Sequence, residues 1–178
     1  VSISWNALKA KTLEFQKILL SNNIKKGDRV VAYCGNTPET IAAFLATNSL
    51  GAIWSSCSPD FGYDAVKERF EIIKPKLIFF HSSYSYNGKL FSLELKVDRI
   101  IKNIDSIKHS IDLNLYKNFN DTNNSVQLKF SCVDFNHPIW ILFSSGTTGK
   151  PKAIVHRTGG IILEHFKALG LHQNLKKG

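Results

Sequence analysis

Methionine is absent from all 178 residues, position 1 included, and only 5 prolines and 3 cysteines are present. A chain with no initiating methionine is expected to be an internal piece of a longer protein. Cys34, Cys57 and Cys132 are widely spaced and odd in number, with no CxxC pair and no Cys/His cluster. That pattern excludes a disulfide framework and a zinc site, and the three thiols are expected to be buried structural residues. No apolar run approaches the roughly 20 residues of a membrane span, and the amphipathic opening from Val1 to Leu20 lacks the continuous apolar segment of a secretory signal. A cytoplasmic protein with no membrane span is the expectation. No internal repeat is visible, and no basic motif interleaved with stacking aromatics marks a nucleic-acid partner.

What is present is a core-forming composition. At 43% hydrophobic residues the chain can bury one substantial core. Its 23 Lys and Arg against 14 Asp and Glu leave a net charge of +9. The lysines are scattered rather than clustered, which describes a solvated basic surface and, after that, small polyanions as ligands.

Apolar periodicity divides the front of the chain into alternating elements. Ser4 to about Asn22 reads as a capped helix whose Trp5, Leu8, Phe15, Ile18 and Leu19 share a face, and Lys26-Gly27-Asp28 ends it. Arg29 to Cys34 reads as a buried strand, followed by Gly35-Asn36-Thr37 and a helix opened by Pro38 that runs to about Gly51. The sequence predicts a second strand over Ala52 to Cys57, a loop at Ser58-Pro59-Asp60-Phe61-Gly62 and a helix over Tyr63 to Ile73 closed by Pro75. A third strand follows over Lys76 to His81. A turn at Tyr86-Asn87-Gly88 is expected to lead into a helix from about Lys89 to Asn103, and the polar tract from Tyr116 to Ser125 into a surface excursion. Strands that are almost uniformly apolar and alternate with helices predict an α/β fold, with a mostly parallel sheet and helices on both faces.

The chemistry concentrates further on. Pro138 introduces an apolar strand, Ile139 to Phe143, that runs into Ser144-Ser145-Gly146-Thr147-Thr148-Gly149-Lys150-Pro151-Lys152. Lys152 to His156 then reads as another strand, and Gly160 to about Leu171 as a helix. The run between the strands combines four hydroxyls, two glycines that permit left-handed backbone and two lysines. A polyphosphate with about four negative charges calls for that combination: convergent donors, close backbone approach and cations. Each charged hydrogen bond contributes on the order of 1.5 to 3 kcal/mol, so several fix a triphosphate in one pose. The loop is not of Walker type, because Pro151 follows Gly149-Lys150 where a Ser or Thr opening a helix is required, and Ser144 stands where the first glycine belongs.

The run resembles the phosphate-binding signature of the adenylate-forming superfamily, which comprises acyl-CoA synthetases, luciferases and peptide-synthetase adenylation domains. Its continuation, Ala153-Ile154-Val155-His156-Arg157-Thr158-Gly159-Gly160, resembles the short-chain acyl-CoA synthetases. Leu50 to Gly62 and Ile161 to His172 are similar to the acetoacetate-activating branch, a likeness that spans essentially all 178 residues. The resemblance implies part of the large N-terminal AMP-binding domain, residues 1–178, without the C-terminal domain. It also implies a ligase that joins acetoacetate to coenzyme A at the expense of ATP and Mg2+, through an acyl-adenylate. Ser145, Gly146, Thr147, Thr148, Gly149 and Lys152 would then grip the β and γ phosphates of ATP, with Ser144 and Lys150 also cofactor-binding.

Short-chain members place an Arg-Gly-Gly-Arg turn against the nucleotide phosphate of coenzyme A, and Tyr86-Asn87-Gly88-Lys89 occupies the matching place. Lys89 is the surviving cation for that phosphate, and Tyr86 would contact the adenine; a plain surface turn is the alternative. His156 reads either as lining an acyl pocket or as a structural residue, and Trp54 either as core or as shaping a ligand site. No residue of the sequence is assigned a catalytic or metal-binding role. The superfamily's ribose-binding acid, its Thr-Glu pair near the metal and its C-terminal lysine have no counterpart, so these 178 residues alone are expected not to turn over. Activation of another short acid, such as acetate or propionate, or non-catalytic nucleotide binding are the remaining readings.

Overall fold

A computed structural model describes residues 2–118, 127–144 and 149–176. Helix α1 (Trp5–Ser21) opens where Ser4 accepts the Ala7 N–H at 3.0 Å, the cap expected from the sequence. Strand β1 (Arg29–Tyr33) leads to α2 (Pro38–Ser49), whose Thr37 cap and first-turn proline set its start. Then come β2 (Ile53–Cys57), α3 (Tyr63–Ile73) and β3 (Leu77–Phe80). A hairpin, β4 (Ser83–Tyr86) and β5 (Lys89–Ser92), precedes α4 (Glu94–Asn103) and β6 (His109–Asp112). A single 3-10 turn at Leu113–Tyr116 follows β6. The last elements are β7 (Pro138–Ser144), β8 (Lys152–Arg157), α5 (Thr158–His165) and a π-helical stretch, Phe166–His172.

Six strands form one sheet in the order β6-β3-β1-β2-β7-β8, parallel throughout except for the antiparallel pair β7/β8. The expected class is therefore the observed one. Both faces are covered, as uniformly apolar strands require. On one face α1 and α2 pack Phe15, Leu19, Ala42, Ala43 and Ala46 over Val30, Ala32, Trp54 and Phe79. On the other, α3 and α4 pack Val66, Phe70, Val97 and Ile100 over Val31, Tyr33, Ile53 and Ile78. The alternation along β1, with Val30 and Ala32 in one cluster and Val31 and Tyr33 in the other, is the period-2 geometry of a strand buried on both sides.

This topology fixes where a ligand can approach. β1 feeds α2 on one face, while its neighbours β2 and β3 feed α3 and α4 on the other, so the connections part on either side of β1 and leave crevices at the carboxyl ends of the strands. One crevice is a cavity of about 220 Å3 lined by Cys34, Asn36, Thr40, Ser56, Cys57 and Ser58. The other, of about 450 Å3, lies between the start of α2, His81 and β4.

Several expectations need correction. The predicted helix over Lys89 to Asn103 is half right: Lys89–Ser92 is strand β5, and the helix begins at Glu94. Asn87 and Gly88 both take positive φ, 48° and 74°, the backbone of a two-residue hairpin turn that sends the chain back along β4. The returning strand is held by Tyr84 stacked on Phe91, ring centroids 5.4 Å apart. Strand β6 and the 3-10 turn after it have no counterpart in the sequence reading. The helix expected over Gly160 to Leu171 is α-helical only from Thr158 to His165, before the π-helical stretch. Cys34 and Cys57 are buried as expected, but Cys132 is exposed, in a segment without regular structure. Trp54 is core, in edge contact with Phe44 at 5.8 Å. Most of the polar tract expected as a surface excursion lies outside the described residues.

Candidate functional site

Strands β7 and β8 form a hairpin whose last register pair is Ser144 opposite Lys152. The strand-loop-strand arrangement read from the sequence is therefore present, and the nine-residue run is its tip. Among the sequence-predicted site residues, Ser144 and Lys152 face each other across the mouth, and Gly149 and Lys150 lie on the returning side. Ser145, Gly146, Thr147 and Thr148 lie outside the described residues. Gly149 has φ +83°, and a Cβ built on it would meet nothing within 4 Å. The position thus calls for glycine through its backbone conformation rather than through crowding. Lys150 and Lys152 are exposed, and neither is paired with a carboxylate among the described residues. Two such ammonium groups at one hairpin tip are available to an anionic ligand.

The hairpin emerges beside the carboxyl end of the parallel strands through a small set of contacts. Trp140 pairs in register with Trp54 and lies tilted against Phe44 at 5.7 Å. The Ser55 hydroxyl donates to the Ile141 carbonyl at 2.7 Å, and His137 Nε2 bonds the Gly51 carbonyl at 2.8 Å. At the base, the Thr158 N–H and hydroxyl both donate to the His137 carbonyl. His156 is half-buried against the Trp140 ring at 6.1 Å, and His165 approaches the same ring at 6.1 Å.

Two residues that the sequence reading did not single out tie the hairpin's neighbourhood together. The Arg69 guanidinium lies 5.1 Å from the Phe61 ring centroid and 5.7 Å from that of Phe143, so one cation bridges the loop after β2 and the strand that leads to Ser144. The Tyr33 hydroxyl donates into the same loop, 2.6 Å from the Phe61 carbonyl and 3.1 Å from that of Pro59. Burial pushes the Tyr33 hydroxyl up to about 12, so it stays a donor. No signal in the sequence would have found either residue, because both act across long separations.

The second candidate site stands apart. Lys89 and Tyr86 pair at the end of the β4/β5 hairpin, and Tyr86 is 71% exposed. That hairpin forms its own two-stranded sheet, and no hydrogen bond, ion pair or ring contact among the described residues joins it to β7 or β8. An exposed ammonium beside an exposed phenol can receive an anionic group carrying an aromatic base.

The cavity beside β2 holds no activated nucleophile. Burial raises Cys34 to about 12 and Cys57 to about 11, which keeps both as thiols at neutral pH. In the larger cavity the Gly35 N–H donates to His81 Nδ1 at 3.1 Å, which puts the imidazole proton on Nε2. Burial lowers the His81 pKa and outweighs Glu39 and Asp112, so the ring is neutral.

The hairpin thus carries Ser144, Gly149, Lys150 and Lys152 at the carboxyl edge of the parallel strands, with neither lysine paired to a carboxylate among the described residues. The AMP-binding enzyme family matches residues 1–176. The chain belongs to this family. Among its relatives, the acetoacetyl-coenzyme A synthetase of Rhizobium meliloti (strain 1021) is 42% identical over 193 residues, covering 99% of this chain and 29% of the relative. The acetoacetyl-CoA synthetase of Macaca fascicularis is 38% identical over 195 residues, with 98% and 29% covered. The solved acetoacetyl-CoA synthetase from Streptomyces lividans superposes with a TM-score of 0.89 at 33% identity, over 100% of this chain and 29% of that one. The chain thus spans a little under a third of the length of the proteins it matches. No described helix is long and apolar enough to cross a membrane.

Proposed function

We propose that residues 1–178 are part of the N-terminal AMP-binding domain of a ligase that activates acetoacetate with ATP and transfers it to coenzyme A. The observation that carries this reading is the β7/β8 hairpin, with Ser144 and Lys152 opposed at its mouth and two exposed lysines, Lys150 and Lys152, that no carboxylate among the described residues pairs. In the first step the acetoacetate carboxylate attacks the α-phosphorus of ATP; the bond to the bridging oxygen breaks and pyrophosphate leaves. In the second, the coenzyme A thiol attacks the acyl carbonyl and AMP departs with its bonding pair.

The chain's contribution lies at the far end of ATP. Ser144, Ser145, Gly146, Thr147, Thr148, Gly149, Lys150 and Lys152 hold the β and γ phosphates, fix the α-phosphorus for in-line attack and neutralise the charge that builds on departing pyrophosphate. Lys89, with Tyr86 beside it, receives the nucleotide phosphate of coenzyme A. Among the described residues no three His, Cys, Asp or Glu side chains could together hold a metal ion. Mg2+ would arrive on the ATP phosphates, which is how this ion is commonly held. A cytoplasmic setting fits the free thiols.

The test is pyrophosphate release by the full-length protein with acetate, propionate, acetoacetate and butyrate in turn. Acetoacetate is expected to give the highest kcat/KM. A preference for any of the other three would overturn the substrate assignment, and no acid-dependent release at all would overturn the ligase.

A further inference from the structure

The phosphate-loop hairpin is fastened lightly to the sheet that supports it. β1 pairs with β2 over five register positions and with β3 over four, whereas β7 meets β2 at one, Trp140 opposite Trp54. Next to that single pair sits Ser55, only 1% exposed, its hydroxyl donating to the Ile141 carbonyl at 2.7 Å. Ile141 lies three residues before Ser144 on the strand that delivers the loop. Strand alternation puts Ser55 on the same face as Ile53 and Cys57, which belong to the apolar cluster under α3 and α4. A hydroxyl there is costly unless it is paired, and its partner is the phosphate-loop strand.

We propose that Ser55 is a positioning residue for the phosphate loop: its side chain replaces the backbone hydrogen bonds that β2 and β7 do not make and fixes where β7 presents Ser144. The inference rests on reading residues 144–152 as the phosphate loop. Trp140 against Phe44 on one face and Phe143 beneath Arg69 hold the strand by ring contact, which tolerates sliding. The Ser55 bond is directional and sets position along the strand. Ser55→Ala leaves the Ile141 carbonyl without this donor, so β7 can shift by a fraction of an ångström, enough to spoil several phosphate contacts at once.

The experiment compares KM for ATP, acetoacetate and coenzyme A in the full-length ligase for wild type, Ser55→Ala, Ser55→Thr and Lys152→Ala. Ser55→Ala is expected to raise KM for ATP about fivefold, the loss of one buried hydrogen bond, with the other two KM values within about twofold. Ser55→Thr, which keeps the hydroxyl, restores the ATP value. Hydrogen exchange in Ser55→Ala is expected to rise at the amides of residues 140–144 and not at those of β1. An unchanged KM for ATP in Ser55→Ala while Lys152→Ala raises it, or a parallel rise of all three KM values, or unchanged exchange over 140–144, would each overturn the proposal. An unchanged ATP KM in Lys152→Ala instead removes the phosphate-loop reading itself, and this inference with it.

Discussion

Strand β1 and strand β8 belong to one sheet and obey opposite rules. From Val30 to Tyr33 β1 is wholly buried, flanked by parallel neighbours and covered by helices on both faces, while β8 is exposed at nearly every position. The first is held by apolar area, a non-directional force that many residues share. The second is held by its antiparallel ladder to β7, which a few directional contacts fix to the sheet, among them Ser55 to Ile141 and His137 to Gly51. The proposed chemistry sits on the second. A ligand loop needs free donors and cations, which a buried strand cannot supply, so the supporting core and the working loop divide the two tasks.

The sharpest way to break that contrast is in the core. Phe70, fully buried from α3 against the sheet, is expected to cost about 3 to 5 kcal/mol on truncation to alanine, read as a shift in urea midpoint. A loss under about 1 kcal/mol would show that the two-faced core is not what holds the sheet. Next comes the hairpin's base. A Cβ on Gly159 would collide with the Phe135 ring, but that ring is 59% exposed and can swing outward. Gly159→Ala is therefore expected to cost about 1 kcal/mol, with a Gly159→Ala, Phe135→Ala double variant losing less than the two single losses summed. Strict additivity would remove the contact as the cause.

The smallest effect expected is at His81. Its folded-state pKa is lowered, chiefly by burial, while Glu39 and Asp112 pull it up and Lys117 adds to the lowering. The unfolded chain then binds the proton more readily, so the stability His81 contributes is complete above the ordinary histidine range and lost as pH falls through it. Thermal unfolding followed from pH 8 to pH 5 should show a decline that His81→Gln reduces. An equal decline in the variant would place the pH dependence elsewhere.

How much was legible follows the same division. α1, β1, α2 and α3 were readable because a capped apolar face, a short apolar run and a flanking proline each state one local rule, and the tertiary fold obeys all of them. The run from Ser144 to Lys152 stood out because its residue types are rare together, and the two strands that flank it were readable from their apolar residues. The β4/β5 hairpin was half readable: Asn87-Gly88 announced a turn, but Lys89 to Asn103 carries no local mark of where strand gives way to helix. The edge strand His109–Asp112 hides because a short, half-polar tetrapeptide becomes a strand only through pairing with β3. Ser55, Tyr33 and Arg69 were out of reach for a different reason, since each acts through a partner distant in the chain or on another element.

The central claim is that the exposed hairpin grips the phosphates of ATP, and Lys152 tests it most directly. Measured as kcat/KM for ATP in acetoacetate-dependent pyrophosphate release, the activity proposed for the full-length protein, Lys152→Ala is expected to fall by about 10- to 100-fold, the worth of one charged hydrogen bond to a phosphate oxygen. A variant that kept the wild-type value would contradict the account.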